Sequence, residues 1–107
     1  MAKKSPELYE RVRKEYPQLI EALDGLGKAA RKAGPLDAKT VQLIQLAAAA
    51  AIGSQGSVRS HARRALEAGA KAAAVRHAVV CATNVIGFPN VIAALGSIED
   101  VKSSRRK

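Results

Sequence analysis

The chain has 107 residues, of which 48% are apolar and only 3% aromatic, with no Trp and with 22 alanines. That length allows one domain, spanning 1–107, and a thin core, because each alanine buries little area. Alanine does let helices approach closely, so the composition predicts a homo-oligomer stabilised in part by helix packing between subunits. No apolar run reaches the ~20 residues of a membrane-spanning helix; Ala47 to Ile52 is short and reads as a buried helix. Lys3 and Lys4 lead into a polar segment where a signal peptide would be apolar. The single cysteine, Cys81, has no partner for an internal disulfide. A cytoplasmic protein is expected.

The net charge of +9 is unevenly spread. Residues 1–4 and 99–107 each carry +2, residues 5–37 balance, and residues 38–98 carry +5 through Lys39, Arg59, Arg63, Arg64, Lys71 and Arg76 against Glu67. A local basic region of this kind suits a small anionic ligand as well as a phosphate backbone. The near absence of aromatics for base stacking and of any nucleic-acid-binding motif argues against nucleic acid, and tail charge alone gives only salt-sensitive, nonspecific affinity.

Along the chain, Ser5-Pro6-Glu7 predicts a helix start with Ser5 as N-cap, and Leu8, Val12 and Tyr16 give a weak apolar stripe before Pro17. A second helix is expected from Pro17 to Ala33, burying Leu19, Ile20, Leu23 and Leu26 and stopped by Gly34-Pro35. Asp37 caps a third, which Gly53 ends or bends. A fourth is expected over Ser57 to Ala68, closed by Gly69, and a fifth from Lys71 to Ile86. Gly87-Phe88-Pro89 opens a last helix through Leu95, and residues 1–4 and 99–107 are expected to be flexible. With no strand alternation, the fold class is all-α, five or six helices with short connections between antiparallel neighbours.

The motif that stands out is Ser54-x-x-Ser57-x-x-x-His61. Its spacings of three and four place all three side chains on one helix face; with cysteines it would be a redox centre. The ordered set Leu36-Asp37, Thr40, Gln42-Leu43-Ile44, Leu46-Ala47, Gly53, His61-Ala62-Arg63, Ala65 to Ala70, Gly87-Phe88-Pro89 and Ala93-Ala94-Leu95 resembles the carboxymuconolactone decarboxylase family, which includes the alkylhydroperoxidase D-like proteins. The resemblance is strongest over 36–96. It implies an all-helical subunit of a homo-trimer or hexamer. It also implies that the thiol-active branch's glutamate falls at Gln42, its two cysteines at Ser54 and Ser57, and its histidine at His61. Three of those four positions are substituted here. The decarboxylase branch also lacks the cysteine pair and acts on a small dicarboxylate lactone with neither metal nor organic cofactor.

An alcohol is no substitute for a thiolate whose oxidised form must condense into a disulfide, so thiol peroxidase activity is expected to be absent. Ser54 and Ser57 are read as shaping the start of the fourth helix, with ligand binding as the functional alternative. A Ser57–His61 nucleophile pair lacks an orienting acid, Gln42 being neutral. His61 is the candidate catalytic residue, since an imidazole exchanges protons near neutrality; its bland reading is a histidine satisfied between helices. Gln42 is read chiefly as a polar residue that holds His61 or a neighbouring helix. Arg64 lies near the His61 direction, whereas Arg59 and Arg63 point away; arginines suit carboxylate recognition, and for Arg59 a solvated face or an intersubunit ion pair is the plainer reading. His77 and Cys81, four apart, would need further ligands to close a metal site; Cys81 is read as small and buried, and no metal is expected. The sequence thus predicts a cofactor-independent lyase-type site for a small anionic lactone or acid, centred on His61 with Arg63, Arg64, Ser57, Ser54 and Gln42. The alternative is an inactive family member serving as a ligand-binding or scaffold oligomer.

Overall fold

A computed structural model describes residues 4–106, with side chains described for 7–101. Every regular element among the described residues is a helix: α1 (Lys4–Glu15), α2 (Pro17–Lys32), α3 (Ala38–Ala51), α4 (Gln55–Glu67), α5 (Ala72–Val80), α6 (Thr83–Ile86) and α7 (Phe88–Arg106). They form two compact units, Met1–Leu36 and Asp37–Lys107.

In the first unit, α1 and α2 are joined through Tyr16, and Pro17 takes the first position of α2, where its missing N–H costs nothing. Arg13 of α1 reaches Asp24 of α2 at 3.9 Å, stacks 4.9 Å from the Tyr9 ring centre and donates to Tyr9 Oη at 2.8 Å. Because α1 starts at Lys4, Ser5 lies inside the helix rather than at its cap. Of the four apolar residues expected to be buried on α2, only Ile20 is; Leu19, Leu23 and Leu26 are more than half exposed. Their spacing of four and three marks one helix face, and periodicity identifies such a face without saying what covers it.

The second unit holds the core: Leu46, Ala49 and Ala50 of α3, Val58, Ala62 and Ala65 of α4, Ala70, Val75 and Val79 around α5, and Val91, Ala94, Ile98 and Val101 of α7. Small residues dominate it, so the backbones approach closely. The helices are held by their ends. Asp37 accepts from the Thr40 backbone N–H at 2.8 Å, and hydrogen bonding from the Thr40 side chain first, then from this backbone N–H, holds its carboxyl below the usual carboxylate range.

The α3–α4 connection does two jobs in three residues. Gly53, at φ +73°, donates to Ala50 O, and Ser54 donates to Ala49 O, closing α3 in a Schellman motif. Ser54 then serves as N-cap of α4, its Oγ accepting from Ser57 N at 3.3 Å. The reversal lays α4 back along α3, the most extensive helix pair in the unit. Gly69, at φ +107°, ends α4 in the same way, with Ala70 N donating to Ala65 O. Replacing Ser54 by Ala is expected to lower the stability of this unit by ~0.5–1 kcal/mol, the low end of cap losses because the bond is long. Thermal denaturation of the variant checks this, and an unchanged Tm would remove the cap from the account.

Three further sequence expectations are corrected. The segment 71–86 is two helices, broken at Cys81-Ala82, where Thr83 Oγ1 donates to Val80 O at 2.6 Å and turns the chain. Cys81 opens that turn and is exposed, not buried. The last helix continues beyond Leu95 to Arg106, with Ile98 and Val101 extending its buried face, so residues 99–106, expected to be flexible, are helical. Most of the N-terminal stretch expected to be flexible, residues 1–3, lies outside the described residues, as does Lys107.

Candidate functional site

The α3–α4 hairpin decides which predicted site residues meet. Val58, Ala62 and Ala65 turn the buried face of α4 into the core. At 100° per residue, His61 falls at one edge of that face and Arg59 at the other. The His61 edge meets α3: His61 Nδ1 lies 2.8 Å from Gln42 Oε1. Gln42 is 6% exposed, one of two buried polar residues among those described, while His61 is half-buried. One turn further along α3, Gln45 Oε1 is also buried, with no protein partner. The Arg59 edge meets α7, where Arg59 Nη1 lies 3.9 Å from Asp100 Oδ2. This ion pair lies within one chain, and it escaped the sequence reading because α7 was expected to stop before Asp100.

The other predicted residues fall as follows. Ser54 and Ser57 are half-buried and joined to each other through the α4 cap. Arg63 and Arg64 are exposed on α4. His77 is exposed on α5, and no group of three or more metal-ligating side chains occurs among the described residues. An open depression lies at the turn of the hairpin, and neither Gln42 nor His61 lines it. It is lined by Ala50, Gly53, Gln55 and Val58 together with Asn90, Ala93 and Ala94 of α7. Asn90, which the sequence did not single out, sits there with its amide donating to Ile86 O at 2.8 Å. The pair at His61 is therefore an edge site between two helices, distinct from this depression.

The model of the carboxymuconolactone decarboxylase family matches residues 17–100. The chain belongs to this family. A crystal structure of an apo carboxymuconolactone decarboxylase family protein from Legionella pneumophila is similar over 95% of this chain and 91% of that one, with a TM-score of 0.81 and 27% identity. An uncharacterized protein from Haemophilus influenzae is 41% identical over 52 residues, 49% of this chain and 46% of that protein. The match thus spans less than half of that relative. Within this carboxymuconolactone decarboxylase family member, Gln42, Ser54, Ser57 and His61 all lie on the tightly packed α3–α4 hairpin, and two of the four share a hydrogen bond between their side chains.

Proposed function

We propose that this family member is a cofactor-independent lyase acting on a small anionic lactone or acid, with His61 as its proton carrier and with the site assembled in a homo-oligomer. The observation that carries the reading is the pair itself. A half-buried imidazole at the edge of a helix is gripped from behind by a buried carboxamide, with basic Arg63 and Arg64 on the same helix. In a decarboxylation, the bond between the carboxylate and its carbon breaks. The electron pair stays on that carbon, carbon dioxide leaves, and the carbon takes one proton from the imidazolium, which recovers a proton from water. Arg63 and Arg64 would draw an anionic substrate toward the helix and meet its carboxylate. Serines at 54 and 57 supply no thiolate, so peroxide reduction is outside this chemistry.

Support for assembly comes from apolar side chains left open to solvent: Leu19, Leu23 and Leu26 on α2, and Val85, Phe88 and Ile92 on α6 and α7, each at least half exposed. Apolar patches of this kind mark contact surfaces. Sedimentation velocity on the purified protein is expected to give the mass of a trimer or hexamer. A monomer across the accessible concentration range would remove the oligomer from the proposal.

A second reading is a family member without catalysis that serves as a binding or scaffold oligomer. It is favoured by the neutral Gln42 at the family's acid position and by a depression that His61 does not line. Carbon dioxide release from small carboxylated lactones, compared between wild type and His61→Ala, separates the two. Loss of release in the variant supports the lyase, and no release from either protein across the panel supports the scaffold.

A further inference from the structure

A neutral imidazole carries its one N–H on either Nδ1 or Nε2, and the other nitrogen holds the lone pair. The carboxamide oxygen of Gln42 has no proton to give. The 2.8 Å contact between Nδ1 and Oε1 is therefore a hydrogen bond only when Nδ1 is the donor. We propose that Gln42 is a positioning residue that holds neutral His61 in the Nδ1–H tautomer, so that Nε2 keeps the lone pair and is the atom that takes up, and in the imidazolium gives up, the exchangeable proton of the site. The use of that proton in turnover rests on the lyase reading above; the tautomer does not.

The placement suits the role. Gln42 is buried, so water competes poorly for its oxygen, and a hydrogen bond shielded from solvent is electrostatically stronger than one in water. Both partners sit on long helices locked together by the Gly53-Ser54 turn, which fixes the distance between residues nineteen apart in sequence. A carboxylate at position 42 would accept the same bond but would also favour the imidazolium. The carboxamide orients the ring and chooses its tautomer while adding no charge beside it.

The test reads the ring nitrogens directly. In a His77→Gln background, which leaves His61 as the one histidine, long-range proton–nitrogen correlation spectra are recorded on 15N-labelled protein at a pH where the imidazole is neutral. The expected spectrum has a protonated-type Nδ1 and a lone-pair-type Nε2. Gln42→Leu should shift the tautomer ratio about fivefold or more toward Nε2–H, in keeping with the loss of one buried hydrogen bond. Gln42→Glu, which keeps an acceptor, should retain Nδ1–H. A parent spectrum dominated by Nε2–H would overturn the proposal, as would an unchanged ratio in a Gln42→Leu variant of native circular dichroism. If Gln42→Leu does not fold, the parent and the Gln42→Glu spectra decide. No substrate is needed, so a protein that shows Nδ1–H but releases no carbon dioxide would end the lyase reading and leave the tautomer assignment intact.

Discussion

Replacing Leu46 by Ala is expected to cost ~4–5 kcal/mol, the upper part of the range for buried leucines. Leu46 is fully buried, and the fully buried core it belongs to consists of alanines and valines with Ile98 as the other large aliphatic side chain, while Leu43, Leu66, Ile86 and Leu95 pack against it only partly buried. The cost of such a truncation depends on how far neighbours move into the void. Here they move little: alanine has no rotamer to swing, and valine in a helix has essentially one. Helices already packed through alanines cannot close much further. Domains of this size have ~5–15 kcal/mol of total stability, so the variant should be close to unfolding. Denaturant titration should show a large fall in midpoint at unchanged slope. A loss below ~1 kcal/mol would mean that Leu46 is not the keystone its burial implies.

The second large effect concerns chemistry. His61→Ala is expected to lower the rate of carbon dioxide release by ~100-fold to 10,000-fold, the usual contribution of a positioned proton carrier. The substitution also strips Gln42 Oε1 of its donor at a buried position, which costs ~1–3 kcal/mol. Rates should therefore be compared well below the melting temperature of the variant, with circular dichroism confirming that both proteins are folded. Equal rates in the two proteins would remove His61 from the mechanism.

The parts of this fold that the sequence made legible are those written in local chemistry. Asp37 and Gly69 carry cap signals that depend on a few neighbouring residues, and they mark helix ends where expected. The Ser54 motif was legible as a helix start, but its closing of α3 depends on Gly53 and Ala49 together, and showed only in the backbone. Burial was less legible. Leu19, Leu23 and Leu26 have the spacing of a buried stripe, yet a stripe records only that a face is apolar, and the partner that covers it need not belong to the same chain. The break at Cys81-Ala82 escaped notice because its cause is one Thr83 side-chain bond, with no Gly or Pro to announce it. Asp100 was missed for the reason that it followed an apparent helix end, although Ile98 and Val101 continue the apolar spacing of α7.

The candidate site divides along the same line. The Ser54, Ser57 and His61 spacing is visible along one helix and its cap, and the twelve-residue step back to Gln42 is visible through the family resemblance. That the carboxamide oxygen meets Nδ1 is a fact of the α3–α4 hairpin, and no spacing encodes it. Arg63 and Arg64 are the reverse case. Their charge is plain in the sequence, whereas their exposure places them outside the gripped pair and gives them, in this account, a role in drawing the substrate in.

The proposed lyase has His61 as its proton carrier and serines at 54 and 57, which supply no thiolate. The most direct measurement is a paired assay on the purified wild-type protein, without added metal or cofactor. One arm measures carbon dioxide release from small carboxylated lactones, and the other measures hydroperoxide consumption in the presence of a dithiol. Carbon dioxide release with no hydroperoxide turnover is the predicted result. Hydroperoxide turnover that is lost on Cys81→Ser, with no carbon dioxide released, would contradict it.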